Sequence, residues 1–257
     1  STKQKTGQTN MISGFYMFLA LGAACGGFVN GLAGFGTALF ALGFWLHIMP
    51  PLQAVAIALA VSITTGAQGV WVVRKAIRAN PRRLLWFLLP GICGVPVGVA
   101  SLSYLDASFL KLCIGIISIV YALFFLAQRS LPRVTRSMPV ADALVGFISG
   151  IFGGAASLSG AVMMMWNAVR DWQKAEIRAV VQPFNFIVLS FGTIMLAVNG
   201  AYDAQTVSYL ILAIPVALLS AQAGIALFRR MQSDAFRRLL IIMMLISGCV
   251  LVLRNLA

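Results

Sequence analysis

Eight apolar blocks run through this chain with only short charged gaps between them, and six are each about long enough to cross a bilayer. The six are Pro51–Val73, Leu84–Leu102, Ser108–Ala127, Ala179–Val198, Gln205–Phe228 and Ala235–Leu253. A helix rises about 1.5 Å per residue and the hydrocarbon layer is about 30 Å thick, so some 20 apolar residues suffice. Soluble cores use shorter, one-faced stripes and carry about 25% charged residues. Here 60% of the 257 residues are hydrophobic and 10% are charged, which gives a membrane protein.

The net charge of +13 would suggest nucleic acid on a soluble domain. The basic residues instead fill the gaps between blocks, where cytoplasmic loops collect them, so no nucleic-acid partner is expected. Cys25, Cys93, Cys113 and Cys249 stand singly inside apolar blocks, and His47 has no metal-binding neighbour. The cysteines read as small buried hydrophobes, His47 is expected at an interface, and no metal site or cofactor is expected. Ser1 to Asn10 is a polar N-terminal tail, too polar for a signal peptide.

The two remaining blocks differ from the six. Ile12–Met49 has 38 residues and Val140–Ala168 has 29, and glycines interrupt both. They are also alike: Gly27-Phe28-Val29-Asn30-Gly31-Leu32-Ala33-Gly34 lies over Gly146-Phe147-Ile148-Ser149-Gly150-Ile151-Phe152-Gly153. With a two-residue slip, Gln53–Ala58 lies over Lys174–Ala179; Pro90 then falls near Pro215, and Asp106 near Asp234. Both aspartates can cap the helix that follows. The repeat therefore spans most of each half.

Charge sets the topology. The gap 74–83 holds five basic residues, 128–139 three and 229–238 four, while 103–107 and 199–204 hold none. The first three gaps are read as cytoplasmic and the last two as external. Val140–Ala168 must then enter and return, leaving Arg170, Lys174 and Arg178 inside, as a hairpin of short helices bent at Gly153-Gly154-Ala155-Ala156-Ser157. The related Ile12–Met49 hairpin opens on the other side. The expected fold is an all-α polytopic membrane protein of two inverted-topology repeats, each a glycine-broken helical hairpin plus three transmembrane helices. Repeat 1 is 11–127 (hairpin 12–49), a basic cytoplasmic linker is 128–139, and repeat 2 is 140–257 (hairpin 140–168). Lys3 and Lys5 fit an external start poorly.

Broken helices in inverted repeats mark secondary transporters. A helix broken inside the membrane frees backbone groups that must face protein, water or solute. Its new N-terminus offers unpaired N–H groups and a partial positive charge to an anion. The candidate substrate-binding residues are Asn30, Gly31, Gly34, Gly36, Thr37, Ser149, Gly153, Gly154 and Ser157 around the breaks. Thr64, Gln68, Arg178, Gln182 and Asn185 join them from the helices that follow, the last three spaced on one helix face. The glycines also suit tight helix packing, the hydroxyls could bond their own helices, and Arg178 could snorkel to the interface. Trp45, Trp166 and Trp172 are expected in interface belts. All six acids lie at segment ends, so no mid-membrane carboxylate serves a proton relay. There is no catalytic motif, and the chain is not expected to be an enzyme.

At Gly31-Leu32-Ala33-Gly34-Phe35-Gly36 and Gly150-Ile151-Phe152-Gly153-Gly154 the chain resembles the TauE/SafE family. Length, duplicated halves and segment spacing are similar over almost the whole chain. Many members carry a longer glycine run followed by proline, where this chain has Phe35 and Ala155-Ala156-Ser157. The resemblance implies a sulfite, sulfonate or similar organosulfur anion as substrate. Together with the broken-helix repeats, the expectation is a transporter of the bacterial cytoplasmic membrane that exports by alternating access. An anion channel and a non-transporting membrane subunit or enzyme are the alternatives. The expected partners are the small anion and the lipid bilayer, with a homo-oligomer left open.

Overall fold

A computed structural model describes residues 2–79, 81–127, 134, 136, 138–170, 172, 174–231 and 233–256, without the side chains of 2–12, 72–79, 81–82, 174–175, 233–234, 236–237 and 254–256. The side chains of the polar tail, most of the basic linker 128–139, Lys174 and Asp234 thus lie outside what is described.

Among the described residues all regular structure is helical. The helices are α1 (Thr2–Ala33), α2 (Thr37–Trp45), α3 (Pro51–Ala79), α4 (Pro81–Leu102), α5 (Ala107–Ala127), α6 (Pro139–Ala156), α7 (Ser159–Ala168), α8 (Lys174–Val198), α9 (Ala204–Arg230) and α10 (Ser233–Leu256). Pro51, Pro81 and Pro139 open their helices at the first turn, where a missing N–H breaks no bond. Asp203 caps α9 by accepting from Thr206 N–H at 2.7 Å, and Asp106 accepts from Phe109 N–H at 2.6 Å at the start of α5. Seven helices are long and apolar enough to cross a membrane, and α10 adds the shorter apolar stretch Arg238–Leu253.

The surface is the inverse of a soluble protein's. Leu126, Leu144, Ile211 and Leu219 point outward, while Asn30, Ser62, Thr65, Arg178, Gln182 and Asn185 are buried. That arrangement suits hydrocarbon outside and a polar pathway inside.

Helices pack in matched sets. α4 lies on α6 and α9 on α1; α4 also touches α8 as α9 touches α3; α2 meets α10 as α7 meets α5. Two further pairs, α3 with α8 and α5 with α10, join the halves through counterpart helices. The α1/α9 and α4/α6 pairs are backbone against backbone. A side chain on Gly31 would run into the Ala221 carbonyl of α9, and one on Gly150 into the Gly91 carbonyl of α4. Small residues permit that approach, which supplies the dispersion contacts that hold membrane helices together.

Trp45 differs from expectation. It is fully buried, and its indole N–H donates to the Leu19 carbonyl at 3.1 Å, so it closes the α1–α2 hairpin from inside rather than sitting in an interface belt. Trp166 and Trp172 are half-buried at the end of the molecule that carries Arg83 and Arg170.

Candidate binding site at the two helix breaks

The first hairpin breaks between α1 and α2 at Gly34-Phe35-Gly36. Gly34 and Gly36 have φ of 83° and 96°, a region that disfavours any residue with a Cβ. Gly34 N–H donates back to the Asn30 carbonyl at 2.7 Å, ending α1. The second hairpin breaks at Ser157-Leu158, at the C-terminal end of the Gly153–Ser157 stretch where the bend was expected. Gly153 and Gly154 stay helical, and Gly154 seats the helix on the Val95 carbonyl of α4. Ser157 takes the left-handed turn itself, with φ 57°. Its N–H donates to the Gly153 carbonyl at 2.9 Å and that of Leu158 to the Phe152 carbonyl at 3.1 Å.

The two breaks meet. Phe35 packs on Gly160 in the first turn of α7 so closely that a side chain there would overlap it. Neither α2 nor α7 has a side-chain cap on its N-terminus. Thr37, the first residue of α2, is fully buried with its hydroxyl unpartnered. Ser159, the first residue of α7, donates to Asn185 Oδ1 on α8.

The helices α3 and α8 run past these breaks. Asn30 Nδ2 donates to the Ser62 carbonyl at 3.2 Å and to Thr65 Oγ1 at 2.6 Å, and Ser62 Oγ lies 3.2 Å from Ser157 Oγ. One buried polar seam therefore joins α1, α3 and the second break. On α8, Arg178 Nε donates to Gln182 Oε1 at 2.8 Å. A guanidinium only donates, so this bond fixes the amide with Nε2 turned away from Arg178. Nε2 occupies the space a side chain on Gly69 would need, and the amide packs on the Gly34 turn, whose Cβ would lie 3.3 Å from Oε1.

Arg178 is 8% exposed. Its guanidinium carbon stands 4.3 Å from the Phe228 ring centroid, and the charge that bears on it is Arg229, another cation. Among the described residues no carboxylate pairs with it; the ion pairs there are Arg83–Glu176 and Arg170–Asp142. Removing a charge from water without a counter-ion is costly.

Around these breaks the structure gathers Gly34, Gln182 and Arg178 on one side and Asn30 and Ser157 on the other. Gly36 turns toward Val29 and Met244 instead. Gly31 and Gly154 serve helix contacts, and Gly153 packs on Ser159 and Val188. Thr64 bonds the Ala60 and Val61 carbonyls of its own helix, and Gln68 and Ser149 each keep a buried, unpartnered oxygen. Ser62, Thr65 and Gly69 were not singled out from the sequence, although Ser62, Thr65 and Gly69 share one face of α3 by their i, i+3, i+7 spacing. No group of three or more His, Cys, Asp or Glu side chains gathers among the described residues, and the four cysteines are free.

A family model described as sulfite exporter TauE/SafE matches residues 18–251. The chain belongs to the TauE/SafE family. The match runs from within α1 into α10 and so takes in both breaks and Arg178. No curated protein and no solved structure matches the chain. As a TauE/SafE member with seven membrane-length helices among its described residues, it is a multi-pass membrane protein of a sulfite exporter-type transporter family.

Proposed function

We propose that this protein exports sulfite, or a sulfonate or similar organosulfur anion, across the bacterial cytoplasmic membrane by alternating access. The observation that carries the reading is Arg178, a buried cation with no carboxylate beside it among the described residues. A charge in that position calls for a mobile anion as its partner. A planar fork of N–H donors also suits the oxygens of a sulfur oxyanion.

The path is laid out along α8. Arg178 lies toward the basic end assigned to the cytoplasm and captures the anion. Gln182 Nε2 and the amide poles of α2 and α7 take it over nearer the breaks. The matched packing of the two halves supports an inverted repeat, in which either half can assume the other's arrangement and expose the site to the opposite side. With the interior negative, expelling one negative charge releases about 2.3 kcal/mol per 100 mV, so export requires no coupled proton.

Proteoliposomes loaded with sulfite test this. Saturable efflux that is lost in Arg178→Gln is expected. Efflux that never saturates would replace the carrier with a channel, and no protein-dependent efflux of any sulfur oxyanion would end the proposal.

A further inference from the structure

We infer that the protein also binds a small monovalent cation, sodium, in the cluster formed by Asn30, Ser62, Thr65 and Ser157. The four residues come from α1, α3 and the α6–α7 break, and each is at most 4% exposed. The decisive atom is Asn30 Oδ1. Asn30 Nδ2 donates to the Ser62 carbonyl, which can only accept, so the amide cannot be turned over. Oδ1 is thereby fixed as the atom those bonds leave over, and it is buried without a partner. A bare acceptor repels an oxyanion. Asn30 was expected among the residues lining the anion pocket; its donors are used by Ser62 and Thr65.

The rest of the cluster is rich in acceptors too. Thr65 spends its hydroxyl proton on the Val61 carbonyl at 2.7 Å. Ser62 Oγ and Ser157 Oγ, 3.2 Å apart, share one hydrogen bond and keep lone pairs beyond it. Neutral hard oxygens of this kind are ligands for hard cations. The local field agrees. Asn30 lies in the last turn of α1 and Ser157 is the C-cap of α6, so the negative poles of both helices end at the cluster. The same two breaks therefore send amide poles toward the anion and carbonyl poles toward the cation. Neutral oxygens without a carboxylate suit a monovalent rather than a divalent cation, and sodium is the ion to test against potassium. With no carboxylate in the cluster, affinity is modest and the site is in exchange with millimolar sodium. Asn30 overlies Ser149 in the repeat, whose hydroxyl is also buried and unpartnered, so both halves keep an unsatisfied oxygen at this register.

Purified protein in detergent gives the test, read as the thermal midpoint in sodium, potassium or N-methyl-D-glucamine chloride at equal ionic strength. Sodium alone should raise the midpoint saturably. Ser157→Gly suits the left-handed turn while deleting one ligand oxygen, and should raise the half-saturating sodium concentration by about tenfold. Asn30→Ala should abolish the response. Equal midpoints in the three salts would overturn the inference, as would an unchanged sodium response in both variants. This readout needs no sulfite, so it stands or falls separately from the export reading. If that reading also holds, an opposing sodium gradient should change the sulfite flux.

Discussion

The Phe35 side chain rests directly on the backbone of Gly160, so the tips of the two hairpins touch through one aromatic ring and one missing side chain. Phe35 is itself held from behind by Tyr121 of α5, with ring centroids 5.7 Å apart. The contact fixes the spacing between the first turn of α7 and the α1–α2 break. Gly160→Ala adds a methyl group where none fits, an overpacking that costs about 1–3 kcal/mol. The variant should show a lower thermal midpoint and weaker sulfite efflux, whereas Gly192→Ala, with open contacts of 3.6 Å or more, should change neither. Equal behaviour of the two variants would show that tip spacing does not matter.

Asp142 and Arg170 form a buried ion pair at the end of the second hairpin. Asp142 also accepts from the Trp166 indole at 2.7 Å, and Arg170 donates to the Arg136 carbonyl at 2.8 Å, clipping the linker between halves to the end of α7. Removing one partner leaves an unpaired buried charge, at a cost of about 3–5 kcal/mol. Asp142→Asn or Arg170→Gln alone should therefore lower the midpoint sharply. The double variant should recover much of the loss, and a strictly additive cycle would mean that the two charges do not interact.

That both over-long segments are broken was legible because length and glycine content are coarse signals: 29 and 38 apolar residues are each too many for one upright helix. Within the second stretch the breaking residue was harder to single out. Gly153 and Gly154 look like breakers, but their lack of side chains is used for packing, and the left-handed residue is Ser157, a type that rarely adopts it. Ser62 and Thr65, which reach across to the second break and to α1, were passed over in favour of Thr64 for a similar reason. Adjacent hydroxyls on a helix differ in direction by 100°, and a helix apolar all round gives no stripe from which to tell the inner face. Trp45 was misread because tryptophan favours interfaces statistically, while here a nearby carbonyl, Leu19, satisfies its N–H in the core.

Topology has its own test. If the halves are inverted, the connections 74–83 and 199–204 lie on opposite sides of the membrane. Single cysteines placed in each, in a variant free of the four native ones, should react with an impermeant maleimide from opposite faces of intact cells. Labelling of both from one face would remove the basis for alternating access.

Tyr202, in the turn between α8 and α9, donates to the Ala56 carbonyl of α3 at 2.9 Å. Burial raises its pKa from 10 to about 12. The folded state thus holds the phenol proton more tightly than the unfolded chain. The resulting stabilisation is whole below pH 10 and declines as pH rises from 10 toward 12, by up to roughly 3 kcal/mol for two units. The midpoint of the wild type should fall across that window more steeply than that of Tyr202→Phe. Parallel curves would assign the alkaline loss to other groups.

Arg178 should behave as a residue kept for binding at the expense of stability. Its charge is buried beside Phe228, repelled by Arg229 and unpaired among the described carboxylates, so the empty protein gains little from it. Arg178→Gln keeps the reach and a donor while removing the charge. In the absence of substrate its midpoint should equal or exceed that of the wild type, by the usual exchange of stability for function. Added sulfite should raise the wild-type midpoint by occupying the site, and the variant's only at much higher concentration. The lost charge-assisted bonds, about 1.5–3 kcal/mol, correspond to a roughly 10- to 150-fold weaker sulfite response. A variant that is strongly destabilised without sulfite, yet binds it normally, would make Arg178 a structural cation and take the anion site away from α8.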